Sequence, residues 1–263
     1  MVQSSVLTYI NNWNRVYDDV LEKEADLKAI GINPIIINSA TEEKESWLNI
    51  GDKWCYRQLF EFFKDTQNHP EYDYFSILFG DIYAPEGTNI ADYVLETIDT
   101  VDRLPDCYVY STSFTHDGWS YPGSILRHHN ENVAMVCGTD TLYMTVHKEV
   151  ANFCYGFLQY FDDKFGIDNF RSGWAIDVIC SLYSIYNGHH VFRNLKSVLV
   201  HYENSGYDVS VAYQEMSKII EEAIYYMNLS RGYDVNRLNN IKNMMFEHRV
   251  NGVHSYEAFY GNK

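Results

Sequence analysis

Short apolar runs alternate along the chain with segments whose apolar residues recur at helical spacing, and this alternation predicts an α/β fold. Val6-Leu7-Thr8-Tyr9-Ile10 predicts a strand, with Asn11-Asn12-Trp13-Asn14-Arg15 as a polar loop and cap behind it. Val16, Val20, Leu27 and Ile30 then repeat at helical spacing up to Gly31, a residue type that ends helices. Pro34-Ile35-Ile36-Ile37-Asn38 is almost wholly apolar, as a parallel strand covered on both faces is. Together these form a β-α-β unit, and in open α/β sheets ligands collect beyond the carboxyl ends of such strands.

The pattern continues in the same manner. Residues 52–66 predict a helix carrying Trp54, Leu59, Phe60, Phe62 and Phe63, and Tyr74 to Phe79 a strand that runs into Gly80-Asp81. Thr88 or Asn89 is placed to cap a helix bearing Ile90, Val94, Ile98 and Val101. Strands are expected at 107–110, 133–136, 142–146 and 197–200, and helices at 148–161, 173–187, 208–228 and 234–248. No repeat, low-complexity tract or Pro/Gly/Ser linker interrupts the chain.

Composition narrows the class. The 263 residues are 46% apolar and 21% charged, which excludes a disordered chain. Twenty Lys and Arg stand against 36 Asp and Glu, a net charge of −16. That balance argues against broad non-specific nucleic-acid binding and leaves a local basic groove open. Residues 227–263 carry five basic and three acidic side chains, net +2, so the remainder carries −18. The five cysteines are scattered without a C-x-x-C pair, as expected of a reducing, cytoplasmic location. The start of the chain lacks a signal-peptide pattern, and no stretch approaches the ~20 apolar residues of a membrane span. The 23 Tyr, 14 Phe and 5 Trp can line sugar or base sites as readily as fill a core.

Three segments offer chemistry. Asp81 follows an apolar strand into a loop, an open place where a hard divalent cation finds oxygen ligands, or simply a turn aspartate. In Gly173-Trp174-Ala175-Ile176-Asp177 the acid falls in a first helical turn, where the dipole favours its charged form, beside an aromatic wall. An ionised carboxylate so placed suits a general base for a sugar hydroxyl, or it only complements the dipole. His201 directly follows Ser197-Val198-Leu199-Val200, and an imidazole at a strand end can complete a metal shell begun by a carboxylate. Asp140, in Gly138-Thr139-Asp140-Thr141, sits in a donor-sugar or acceptor loop or in a plain hairpin turn. Arg127-His128-His129 reads as a polar loop, and Asp162, Asp163 and Asp168 as a solvated one.

The order of Phe79-Gly80-Asp81, Gly173–Asp177 and His201 with Gly206-Tyr207 resembles the GT-A-fold glycosyltransferases, with Asn49-Ile50-Gly51 and Arg57 similar to their segment before the metal motif. The resemblance covers roughly residues 5–207. It implies an α/β, GT-A-like fold: a central, mostly parallel sheet with helices on both faces and a helical C-terminal extension. It implies a catalytic domain over 1–207, with a nucleotide-binding half (1–105) and an acceptor half (106–207), and the extension over 208–263. Two departures stand out. Phe79 replaces the first carboxylate of the metal motif, and Ala175 stands where glycine is frequent.

What the resemblance implies for function is a metal-dependent, inverting transfer of a sugar from a UDP-sugar to a hydroxyl. Asp177 would be the base, Asp81 and His201 would hold Mn²⁺ or Mg²⁺, and Asp140 and Trp174 would meet donor sugar or acceptor. Thr8, Tyr9, Asn11, Asn38 and Arg57 would contact the nucleotide, although Asn38 stands where an aspartate is frequent. The acceptor is either a glycan or, since the Tyr/Asn/Ile-rich and Pro-poor composition resembles phage proteins, a hydroxymethylated base in phage DNA within a host cytoplasm. In the DNA case Arg231, Arg237, Lys242, His248 and Arg249 would meet phosphates. A sugar-nucleotide nucleotidyltransferase, whose Gly-rich loop is missing from Asn11–Arg15, and a non-catalytic carbohydrate-binding module are the other readings.

Overall fold

Every residue of β1 (Val6–Asn12) is buried, including Thr8, Asn11 and Asn12, because β1 lies between two parallel neighbours with both faces covered. The computed structural model describes residues 5–115, 119–201 and 208–261. β2 (Ile35–Asn38) flanks β1 on one side, with Tyr9 opposite Ile35, and β4 (Tyr74–Phe79) on the other, with Tyr9 opposite Ile77. The chain passes from β1 through α1 (Tyr17–Ala29) to β2 and the short β3 (Leu48–Asn49). It then returns past β1 through α2 (Cys55–Asp65) to β4. Crossovers of one hand made in opposite directions place α1 and α2 on opposite faces of the sheet.

Beyond β4 come β5 (Ile82–Tyr83), α3 (Ile90–Val101), β6 (Cys107–Phe114), β7 (Ile125–His128), β8 (Val133–Val136) and β9 (Tyr143–His147). α4 (Lys148–Phe165), α5 (Ile176–Tyr186) and β10 (His190–His201) follow. The sheet order among the described residues is β3-β2-β1-β4-β9-β6-β10-β8-β7, with β5 paired to β10. β1, β2, β3, β4, β6, β7 and β10 run one way, and β5, β8 and β9 run the other. The result is a mixed α/β architecture whose large central sheet is mostly parallel.

α6 (Val209–Arg231), α7 (Val235–Asn251) and α8 (Tyr256–Tyr260) close the chain. Asp208 and Asp234 cap the first two, accepting from Ser210 N at 2.7 Å and Asn236 N at 2.8 Å. Ile219, Ala223 and Met227 of α6 and Leu238, Ile241 and Met245 of α7 join the same buried cluster as Ile10, Ile77 and Val146 of the sheet. These helices share the core of the sheet. No helix among the described residues is long and apolar enough to cross a membrane.

Several boundaries differ from the sequence pattern, each for a physical reason. The first strand continues through Asn11 and Asn12, where polar side chains predict a loop, because ladder bonds to β2 and β4 hold the backbone. β10 begins at His190 and includes the buried Arg193, so the apolar run 197–200 is only its end. Arg127 and His128 lie in β7, an outer strand whose exposed side chains lack an apolar signature. Gly138–Thr141 is no hairpin turn. β8 pairs with β7 and β10, while β9 pairs with β4 and β6, so the segment crosses between non-adjacent strands with Thr139 and Asp140 buried.

Candidate active site

The chemistry-bearing residues converge on the edge of the sheet where β1, β4, β6 and β10 end. Gly80 makes the turn after β4. A Cβ there would sit 2.5 Å from Val16 Cγ2 and 2.8 Å from the Asn11 carbonyl oxygen, so the turn is packed directly against the end of β1. Asp81 follows, and β5 then pairs antiparallel with the end of β10, setting His201 opposite Ile82. This register brings His201 Nε2 to 3.5 Å from Asp81 Oδ2. Lys23 of α1, only 6% exposed, donates to the Gly80 carbonyl at 3.0 Å and lies 4.5 Å from the Tyr83 ring centroid. Burial lowers its ammonium pKa, and Asp19 and Asp81 oppose that shift.

Asp81 Oδ1 is buried without a hydrogen-bond partner. Adjacent ligands of a six-coordinate divalent ion lie about 3 Å apart, so Asp81 Oδ2 and His201 Nε2, at 3.5 Å, are close to the spacing such an ion needs. Phe79 is buried in the core, and among the described residues no group of three or more His, Cys, Asp or Glu forms a metal-binding cluster. Remaining ligands would have to come from substrate and water. Gly206 and Tyr207, after His201, lie outside the described residues.

Asp177 occupies the first turn of α5, and both of its oxygens accept N–H bonds: Oδ2 from Trp119 Nε1 at 2.9 Å and Oδ1 from Val178 N at 2.8 Å. The segment leading to it is conformationally costly. Gly173 has φ +73° and Ala175 φ +96°, the latter in a region that a side chain disfavours. Such strain persists only where its surroundings enforce it. Here Tyr56 Oη bonds the Trp174 carbonyl, and Glu215 of α6 accepts from Arg171 N at 3.2 Å and Ser172 N at 3.0 Å. A Cβ on Gly173 would lie 2.2 Å from Cys55 Sγ. Gly173→Ala is therefore expected to destabilise the protein by about 2–4 kcal/mol, combining left-handed backbone strain with overpacking. The urea midpoint reports it, and an unchanged midpoint would contradict the packing described.

Trp119, which no motif in the sequence marks, is 3% exposed and sandwiched by other elements. The Arg249 guanidinium of α7 lies 5.2 Å from its ring, and Phe246 packs at 5.9 Å. Its carbonyl accepts from Arg193 Nη1, which also bonds Ser124 Oγ at 2.7 Å, while Nη2 reaches the Tyr121 carbonyl at 3.3 Å. Burial lowers the Arg193 pKa, and Asp140 opposes the shift. Asp140 Oδ2 also accepts from Ser120 Oγ at 3.5 Å. Asp140 thus belongs with the segment that carries Trp119. A lone arginine inside the run Val191–Val200 is the one sequence signal that could have pointed to this network.

The first turn of α2 connects the surroundings of Asp81 with the segment that leads to Asp177. Burial and the charge of Asp81 both push the Cys55 thiol pKa up, and the same cysteine packs against Gly173.

The expected nucleotide contacts divide. Tyr9 is fully buried, edge-on to Phe62 at 4.9 Å, with its hydroxyl bonded to Asp65 at 3.0 Å. Asn38 has all four hydrogen-bonding positions filled. Its Oδ1 accepts from Asn12 Nδ2 at 2.7 Å and Ala40 N at 3.0 Å, and its Nδ2 donates to the Glu42 carbonyl at 2.9 Å and Asn49 Oδ1 at 2.7 Å. Arg57 is engaged by Glu61, Asp162 and Asp168, so two acids expected in a solvated loop are its partners. These three side chains have partners within the fold, and those of Asn38 fill its amide. Thr8 Oγ1 and both amide atoms of Asn11 are buried without partners.

No protein-family model and no curated protein matches the chain. Among solved structures, a STIV protein aligns over 76% of this chain and 86% of its own at 12% identity and a TM-score of 0.41. A glycosyltransferase involved in glycosylation of the major capsid of PBCV-1 aligns over 59% and 65% at 17% identity and a TM-score of 0.34. UDP-glucose pyrophosphorylase complexed with UDP-glucose aligns over 85% and 81% at 9% identity and a TM-score of 0.36. Identities and TM-scores this low transfer no activity, so the chemistry rests on the side chains themselves.

Proposed function

We propose that the chain is a glycosyltransferase that moves a sugar from a UDP-sugar to a hydroxyl of a glycan acceptor, with inversion at the anomeric carbon. The observation that carries this reading is Asp177, fixed through both oxygens, in a segment that Cys55 connects to the Asp81–His201 pair. Each carboxylate oxygen has a second lone pair, and one of these takes the acceptor proton as the hydroxyl oxygen attacks the anomeric carbon. The new C–O bond forms on one face while the bond to the β-phosphate oxygen breaks on the other, and UDP leaves with the bonding pair. Asp81 and His201 would hold a divalent cation, which when bound supplies Lewis-acid stabilisation of the departing diphosphate. Lys23 and Gly80 keep Asp81 in place, and Thr8 and Asn11 of β1, whose polar side-chain atoms lack partners, are the remaining donor-side polar groups.

A DNA acceptor gains no support from the tail. Arg237 lies 4.5 Å from the Tyr186 ring centroid and bonds its carbonyl, Arg249 covers Trp119, and His248 is buried against the Ile125 carbonyl. Burial lowers the His248 pKa, which favours its neutral ring, and the two arginines are each turned onto an aromatic ring of the fold.

The test of donor binding is thermal unfolding with UDP and Mn²⁺. Wild type is expected to gain several degrees and Asp81→Ala to gain none, because ligand that binds only the folded state raises its stability by mass action. Equal shifts in both proteins would remove Asp81 from the diphosphate site.

A further inference from the structure

Three aromatic residues far apart in sequence flank the segment that leads to Asp177: Trp174 and Tyr213 touch, and Trp54 is joined to that segment through Arg171. Trp54 immediately precedes α2, Trp174 lies three residues before Asp177, and Tyr213 sits in the first turns of α6. Glu215 ties α6 to the backbone of Arg171 and Ser172, and this sets the Tyr213 ring edge-to-face with Trp174 at 5.2 Å and 88°. The Arg171 guanidinium reaches across to lie 5.0 Å from the Trp54 ring centroid. Despite these contacts Trp54 is 48% exposed and Tyr213 51% exposed. Large aromatic side chains left this open cost hydrophobic free energy in the isolated protein, and placed beside the segment that carries Asp177 they read as a binding surface.

We infer that Trp54, Trp174 and Tyr213 form a subsite that takes the pyranose rings of an oligosaccharide acceptor and presents its terminal hydroxyl to Asp177. The inference deepens the transferase reading and rests on it for the role of Asp177. A pyranose offers flat apolar C–H faces flanked by hydroxyls, and the group offers flat rings flanked by the Arg171 guanidinium and the Trp and Tyr polar tips. The bases of a single-stranded nucleic acid also stack on aromatic rings, but they arrive on a long polyanion, which a chain of net charge −16 repels.

The experiment titrates tryptophan emission with maltotriose, cellotriose and triacetylchitotriose, and separately with single-stranded oligothymidylate. Saturable quenching by at least one trisaccharide is expected. Its Kd should rise about tenfold in Trp54→Ala and in Tyr213→Ala, while Tyr213→Phe, which keeps the ring, retains binding. Both alanine changes are at half-exposed positions, so circular dichroism should show an intact fold. Absence of quenching by all three sugars, quenching by oligothymidylate instead, or wild-type affinity in both alanine variants would overturn the proposal. The titration needs no sugar donor. If sugar binding stands and no UDP-sugar is turned over, the transferase reading falls alone; if turnover stands and the alanine variants bind as wild type, the aromatic subsite falls alone.

Discussion

Asp177→Asn is expected to lower kcat for sugar transfer by about 10²–10⁴-fold while leaving the KM for the UDP-sugar within a few-fold of wild type. The asparagine matches the aspartate in shape, but its carbonyl is a far weaker base. It also keeps only one acceptor oxygen. Trp119 Nε1 and Val178 N each donate to a different Asp177 oxygen, so one of them would face an amide NH₂ group in the variant. That mismatch adds a stability cost of about 1–2 kcal/mol, which the urea midpoint measures separately from kcat. A fall in kcat no larger than the loss of folded protein would mean that Asp177 holds Trp119 and takes no proton.

The second large effect is on the support beneath that carboxylate. Arg193→Met is expected to destabilise the protein by about 3–5 kcal/mol, the usual consequence of removing one member of a buried charged network. Arg193 is 1% exposed and bonds the carbonyls of Trp119 and Tyr121 and the Ser124 hydroxyl. Methionine fills similar space and returns none of these bonds, and it leaves the Asp140 carboxylate, 5% exposed, without the neighbouring cation. Combining it with Asp140→Asn should cost less than the sum of the two changes, because the second removes the charge that the first strands. Strict additivity of the urea midpoints would show that Asp140 and Arg193 act independently.

The elements visible in the sequence are those whose apolar residues repeat. The strand over 74–79 and the one over 133–136 have the expected bounds, and Asn89 caps α3 by accepting from Ala91 N at 2.7 Å. β3 and β5 have two residues each and α8 has five, too few for any periodicity to register. Polar strands are equally hidden, as with Asn11 and Asn12, because the ladder that holds them is formed by distant segments.

The site was legible to the same degree. Asp81, His201 and Asp177 each stand at the end of a strand or the start of a helix, where a local pattern exposes them. Trp119, Arg193, Lys23 and Glu215 act through contacts with residues 43 or more positions away, to which no local pattern points. Tyr9, Asn38 and Arg57 carry attractive side chains at attractive places, and each already has partners within the fold. The role of the C-terminal helices follows from the same long-range contacts: α6 holds the 171–172 backbone through Glu215, and α7 covers Trp119 through Arg249 and Phe246.

Nucleotide release from a panel of UDP-sugars in the presence of Mn²⁺, compared between wild type, Asp81→Ala and Asp177→Asn, tests the central assignment most directly. Slow release from one donor by wild type, lost in both variants, is the expected result, because water can replace the acceptor hydroxyl at the same base. Release at wild-type rate in both variants would place the chemistry elsewhere. No release from any donor, together with no stabilisation by UDP, would contradict the assignment of these residues to a UDP-sugar.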